Sequence, residues 1–439
     1  MGSTSPSEPQ PMTATCSKCG CESPLVEYFS NTFSGKVCPG CMPTASNHTM
    51  LYVIFFVLAM ALLLLLGPAA VADLRPWRLL VNLALYVVLT WLTMAAHEAI
   101  HATAAWLLGG RVFEVSLGAG RRLTGLRWHG TRFSVRRGIF LGYCAAAFRQ
   151  RSWIRTRWFV FIAAPLTAQI VLVLLLLPAF NLRAYLTQVA VLESVVVVNI
   201  LLIATNLFPR RLNALVATDG QLLLDLVTGR KTAEELHITY FLAACAYASE
   251  DDDAAAMAAA CESGLALYPA HRRLKTNLAT AYVFQDRDAE ALVLFDELLA
   301  DETPAPSAVR GICQCNRAVA LFHLALEPGG ISDEQLAEAH AAAGEAFWLL
   351  PWLSPVRIEH AVSAHYDGRH DEALALLEKE LTVQDTDARR ANVLALIALV
   401  EHALGQGEAA QATIGEARRI YPKGSHTIER IDEIVGLAG

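Results

Sequence analysis

Charge is what this 439-residue chain has least of. Charged residues make up only 18 % of it, against about 25 % in soluble globular domains. The shortage is uneven. Residues 1–230 hold 9 of the 42 Asp and Glu beside 19 of the 35 Lys and Arg, a formal +10; residues 231–439 hold 33 acidic and 16 basic residues, a formal −17. No basic region runs into an apolar stretch near the start, so a cleaved secretory signal is not expected. With 54 % apolar residues and a mean hydropathy of +0.37, a disordered or collagenous chain and a small disulfide scaffold are excluded, and a membrane is indicated. A basic membrane half is joined to an acidic soluble half.

Residues 1–15 are rich in Ser, Pro and Thr with no apolar period and should be disordered. Met50–Ala72 (23 residues), Leu79–Ala96 (18) and Trp158–Phe180 (23) carry no charge, and 184–208 carries only Glu193 as a charge, with Asn199 and Asn206. Each is long enough to cross a hydrocarbon core of ~30 Å. Pro68, Pro165 and Pro178 are tolerable there because neighbouring helices re-satisfy freed backbone groups. Between the second and third spans the segment 111–157 has many Arg and one acid, Glu114. Short Arg-rich loops stay cytoplasmic, so both the N-terminus and everything after Pro209 should be cytoplasmic in an integral protein of a bacterial-type plasma membrane. Within that loop Arg111–Leu117 and Thr131–Val135 alternate as short strands, with His129-Gly130 as a turn.

From about Thr232 the pattern becomes helical, Ala-rich and paired. Asn277–Tyr282 with Arg287–Leu292, then His360–Tyr366 with Gly368–Leu374, repeat one plan, and Gly407-Glu-Ala-Ala410 follows Asp371–Leu374 by 35–36 residues. This resembles a tetratricopeptide array of four to five helix pairs, into which 302–356 fits poorly. Such an array predicts a protein partner in a groove rather than chemistry.

Five of the ten cysteines lie in residues 16–41: Cys16, Cys19, Cys21, Cys38 and Cys41. Two close thiol pairs separated by 15–20 residues form a tetrahedral thiolate site. The spacing favours a structural zinc ribbon held by Cys16, Cys19, Cys38 and Cys41, with Cys21 as the alternative to one of the first two. Only Lys18 and Lys36 are basic here, so no nucleic-acid partner is expected.

His97-Glu98-Ala99-Ile100-His101 matches H-E-x-x-H, a pattern expected by chance only about 0.02 times in a chain of this composition. On a helix the two His share one face a turn apart and can bind one Zn²⁺, and Glu98 beside them can take a proton from water. Ionisable groups at the end of an apolar run are costly unless a metal or water cavity repays them. Two His leave a catalytic zinc short of a third protein ligand. The fourth span ends in Asn206-Leu-Phe-Pro209, followed by Ala217-Thr-Asp219-Gly220.

With these segments, residues 79–225 resemble the site-2 protease family of intramembrane zinc metalloproteases. The resemblance implies a zinc metalloendopeptidase that cleaves membrane-embedded proteins. It implies Asp219 as third ligand (Asp225 the alternative), Glu98 as catalytic base, and Asn206, Pro209 and Gly220 as shapers of the broken helix presenting Asp219. Gly118-Ala-Gly120, Gly138–Tyr143 and Ala163-Ala-Pro165 are similar to the family's Gly-rich strands and Gly-Pro segment. Ala168, with Gln169 next to it, departs from the family's Asn, and the link from Asn206 to Asp219 is longer than usual. The expected fold is mainly α: a polytopic membrane bundle of about four transmembrane helices (50–230) with a short β-rich loop, a small zinc ribbon (16–44), and a C-terminal α-solenoid (231–439). Zn²⁺ is the expected cofactor, one catalytic and one structural. A transmembrane protein substrate, membrane lipids and a protein on the repeats are the expected partners. The rival expectation is a catalytically inactive, membrane-anchored tetratricopeptide scaffold.

Overall fold

Extended backbone comes first in the chain and helices dominate the rest. A computed structural model describes residues 13–25, 30–32, 35–38, 76–181, 188–210, 217–300, 307–384 and 386–436. Two short hairpins open it, β1 (Ala14–Thr15) with β2 (Glu22–Ser23) and β3 (Ser30–Thr32) with β4 (Gly35–Val37). Then come α1 (Pro76–Leu107), β5 (Arg111–Trp128), β6 (Thr131–Ala147), α2 (Ile154–Leu176), α3 (Val191–Leu207), α4 (Asp219–Val227) and α5 (Ala233–Glu250). Ten further helices follow among the described residues: α6 (Ala254–Leu265), α7 (Arg272–Val283), α8 (Asp288–Leu299), α9 (Ala308–Leu326), α10 (Asp333–Leu349), α11 (Ser354–Tyr366), α12 (His370–Leu381), α13 (Asp387–Ala403), α14 (Gly407–Ile420) and α15 (His426–Gly436). They form two units: Pro43–Tyr247, and Met1–Met42 together with Ala248–Gly439.

In the first unit two helices, Leu80–Leu107 and Ile154–Ala179, are long and apolar enough to cross a bilayer; Val191–Leu207 is apolar but shorter. The first expected span, 50–72, lies outside the described residues, as do 184–187 of the fourth. Core helices of soluble proteins are mostly buried, whereas these two bury only 24 % and 28 % of their apolar windows and leave Leu80, Val88, Leu92, Leu174 and Leu175 exposed. Such faces suit lipid, where apolar exposure costs nothing. One buried polar group, Asn82, is paired across the helices. The Asn82 side chain donates to Gln188 O (2.8 Å) and accepts from Ala190 N (3.1 Å), tying α1 to the start of α3.

The β-rich loop is longer than the alternation predicts. β5 and β6 turn at His129 and Gly130, both with positive φ (48° and 77°), the backbone of a tight two-residue hairpin. Beyond the turn, Val115 aligns with both Cys144 and Phe133, so the segment Glu114–Leu117 is paired on both sides. Inside it Glu114 is buried and accepts from Ser134 Oγ (2.5 Å), Arg136 Nη2 (2.9 Å) and Tyr247 OH (3.2 Å). Burial alone would raise the Glu114 pKa; hydrogen bonds from Ser134, Arg136 and Tyr143 outweigh it and keep the carboxylate below its ordinary value. The sequence places a boundary at 230/231, but α5 packs with the loop. Leu236 joins the core of Val112, Phe148, Ile154 and Phe161, His237 Nε2 meets Arg149 O at 2.6 Å, and Tyr247 stacks on Phe113. The division falls after Tyr247 because these apolar and aromatic faces are spent on the loop.

In the second unit α7/α8, α9/α10, α11/α12 and α13/α14 are antiparallel pairs, and the leading helices of successive pairs touch one another. Their cores run on from pair to pair, through Phe295 and Cys313, then Leu321 and Val362, then Leu377 and Val400. This is a tetratricopeptide-like α-solenoid, as the spacing of the Glu-Ala-Leu groups predicts. Ala14 and Thr15, assigned to a disordered start, form β1; residues 1–12 lie outside the described set.

Candidate metal centre

His97, Glu98 and His101 lie in the last third of one helix, with only 4 %, 6 % and 5 % of their surface exposed. Four-residue spacing puts both imidazoles on the same face, and their rings meet edge to face at 4.9 Å. Each ring is fixed by an acceptor from α2. His101 Nδ1 donates to Phe161 O (2.8 Å), and His97 Nδ1 faces Gln169 Oε1 at 3.2 Å. Pro165 explains why the first acceptor is available. Pro has no N–H, so the carbonyl four residues earlier, Phe161 O, loses its helical partner and is left to His101.

With both Nδ1 atoms engaged outward, both Nε2 atoms point inward, and a third donor meets them there. Asp219 Oδ2 lies 3.0 Å from His97 Nε2 and 3.4 Å from His101 Nε2. Three possible ligand atoms thus face one point. Two His and one carboxylate are a donor set that zinc takes, with one position left for water; ligand atoms arranged tetrahedrally at Zn–N and Zn–O lengths of about 2.0–2.2 Å are about 3.3–3.5 Å apart, which the 3.4 Å separation matches and the 3.0 Å one falls short of. All three ligand atoms lie within 4.8 Å of one another.

Asp219 arrives there through local chemistry. Thr218 is the N-cap of α4: its Oγ1 accepts from Gln221 N (3.4 Å) and donates to Phe208 O (2.8 Å), and its backbone N–H donates to Arg210 O (3.0 Å). The end of α3 and the start of α4 are thereby stapled. Gly220 presses on α3 so closely that a Cβ there would sit 1.9 Å from Leu207 O. Asn206 is half-buried and Pro209 exposed at that junction. Asp225, the alternative ligand, is buried away from the histidines and accepts from Gln221 Nε2 at 2.9 Å. Glu98 lies under β6, where a Cβ on Gly142 would come within 2.9 Å of Glu98 Cγ.

Spacing alone does not mark Gln169, Phe161 O or Gly142 as site residues. A hint existed in the departure at Ala168, where the adjacent Gln169 takes up the polar role. Because ring-fixing partners of metal-bound His are worth about 10–100-fold in metal affinity, Gln169→Leu is expected to weaken zinc binding in the membrane core by about that factor. Competition with a chelator of known affinity measures it.

A second cluster lies in the other unit. The sulfurs of Cys16, Cys19, Cys21 and Cys38 lie within 4.8 Å of one another. Cys41 lies outside the described residues, and Cys21, the alternative, is in the group. Gly20 takes φ 74° to turn the chain back between Cys16 and Cys21. Burial works against a thiolate at Cys16, yet N–H groups of Cys38, Cys19 and Lys18 aimed at the sulfur bring it down to about 6.

No family model matches the chain, and no curated protein matches its sequence. Two solved structures share some of its shape. One is TTC0263, a thermophilic TPR protein of Thermus thermophilus, 19 % identical over 46 % of this chain and 99 % of that one, with a TM-score of 0.34. The other is PilW, a widely conserved type IV pilus biogenesis factor, 17 % identical over 49 % of this chain and 91 % of that one, with a TM-score of 0.31.

Proposed function

We propose that the chain is an intramembrane zinc metalloendopeptidase whose helical array recruits or gates protein partners. The observation that supports it most is the meeting of Asp219 with His97 and His101 across 122 residues of sequence, with Glu98 buried beside them. A zinc ion held by these three would supply Lewis-acid chemistry, lowering the pKa of a water and stabilising charge on a carbonyl oxygen. The chain's own groups do the rest. Glu98 takes the proton of the attacking water and returns it to the leaving amine. Gln169 and Phe161 O hold the two imidazoles in the tautomer that presents Nε2. The walls of α1, α2 and α3 keep bulk water away from the site. A substrate helix has its carbonyls already hydrogen-bonded and must unwind to be cut; the extended segments of β5 and β6 offer an unwound peptide a strand to pair with.

The array by itself favours a second reading, a membrane-anchored scaffold with an inert core, since stacked helix pairs serve protein–protein contact. One substitution separates the two. Glu98→Gln in cells, compared with wild type by proteomics of membrane-protein fragments, should abolish a set of fragments while zinc stays bound, because proton transfer of this kind is worth about 10²–10⁴-fold. Identical fragment sets leave the scaffold.

A further inference from the structure

The amino-terminal cysteine segment is too small to bury a core of its own: its strands are two or three residues long. Its apolar side chains go elsewhere. Ala14, Cys16, Leu25 and Cys38 share one buried cluster with Cys315, Ala346, Leu349, Leu350, Trp352 and Val356 of the array. At the seam, Ser23 Oγ donates to Leu349 O at 2.8 Å, both buried. Leu349 closes α10, so its carbonyl is one of those that a helix end leaves without a partner; Ser23 supplies it. This seam lies in 302–356, the stretch that fits the repeat pattern poorly. Its residues depart from the pattern because they face the cysteine segment as well as their neighbouring helices.

We propose that Cys16, Cys19, Cys21 and Cys38 bind one structural zinc ion, and that this site is the clasp holding the amino-terminal segment on the array at Ala346–Val356. Cys19 Sγ and Cys38 Sγ are 3.7 Å apart, far beyond a disulfide bond of about 2.05 Å and close to the edge of about 3.8 Å that a tetrahedron with Zn–S bonds of 2.3 Å requires. Cys38 N–H donates to Cys16 Sγ at 3.4 Å, as a backbone folded round a thiolate metal site does. Cys16 and Cys38 are at once ligands and members of the shared cluster, so closing round the metal and docking on the array are one event. Cys19 is exposed, which leaves the metal within reach of a chelator. The clasp also constrains topology. Residues 13–38 and the array are on one side of any membrane, so the chain between them crosses it an even number of times.

The test uses the full-length protein in detergent, independent of any cleavage assay. Zinc per chain is measured for wild type, for His97→Ala/His101→Ala, and for Cys19→Ser, Cys21→Ser, Cys38→Ser and Cys41→Ser. The first three single Cys variants should each lose one zinc that the double His variant keeps, and Cys41→Ser should keep it. Hydrogen exchange over 346–356 should rise about ten-fold or more in Cys38→Ser, with 387–436 unchanged, as local opening of one seam predicts. Ser23→Ala, which leaves every ligand in place, should raise exchange over 346–356 with zinc retained. Reporters fused to the two termini should read the same side of the membrane. Zinc lost in Cys41→Ser but kept in Cys21→Ser, zinc loss without faster exchange over 346–356, or reporters on opposite sides would overturn the proposal.

Discussion

On the proposed reading, Asp219→Ala should empty the core of its zinc and abolish cleavage, while Asp225→Asn, six residues on, should leave both metal and cleavage in place. The contrast follows from position. Asp219 starts α4 and puts Oδ2 within 3.4 Å of both imidazoles, whereas Asp225 faces Gln221 on the same helix and lies apart from the histidines. Removing a direct ligand must cost more than the 10–100-fold lost with a ring-fixing partner, so zinc affinity in Asp219→Ala should fall by more than about 100-fold. Elemental analysis of purified protein decides it, with the clasp cysteines substituted so that one zinc remains to count. Equal zinc in Asp219→Ala and wild type would remove Asp219 from the site.

Asp219→Asn sharpens the same point. Asn keeps the shape and one oxygen but gives up the charge that two neutral imidazoles need beside a dication. Its zinc affinity should fall between that of wild type and that of the Ala variant. A result equal to wild type would mean that Asp219 holds α4 in position and does not meet the metal.

What the sequence reveals of this site is what local spacing can encode. A four-residue His spacing on a helix needs no knowledge of the rest of the chain, and the hairpin is announced by alternation on either side of His129-Gly130. The array is visible because repeats compare a chain with itself. The partners that fix the rings are hidden for a physical reason. Gln169 and Phe161 come from a helix packed on α1, 72 and 60 residues away, and one of them acts through its backbone carbonyl, which side-chain identity does not display. The boundary at 247 is hidden likewise, since α5 reads as another Ala-rich helix until its aromatic face meets Phe113. The cysteine set shows the limit of spacing rules. Spacing pairs Cys16-x2-Cys19 with Cys38-x2-Cys41 and leaves Cys21 as an alternative; only the turn at Gly20 shows Cys21 folded back toward Cys16 and Cys19, while Cys41 lies outside the described residues.

Gly220→Ala is the substitution in which backbone geometry alone should destroy the site. A methyl group there would lie 1.9 Å from Leu207 O and 2.5 Å from Leu207 C, so α4 must retreat from α3 by more than an ångström to reach ordinary contact. It cannot retreat alone, because Thr218 is bonded to Phe208 O and Arg210 O on the other side. Asp219 sits between these two constraints and moves with them. Since misplacing a reacting group by 1 Å costs about 10²-fold in rate, cleavage in Gly220→Ala should fall by at least that much, and core zinc should be bound more weakly. Gly229→Ala is the control: it lies past the end of α4 at φ 73° with nothing near its Cβ position. The left-handed backbone there should cost about 1–2 kcal/mol of stability and leave the zinc in place. If Gly220→Ala and Gly229→Ala lower stability equally and neither changes zinc content, the tight α3–α4 junction positions no ligand. Loss of zinc in the first alone ties the junction to the site, with no change in any ligand's chemistry.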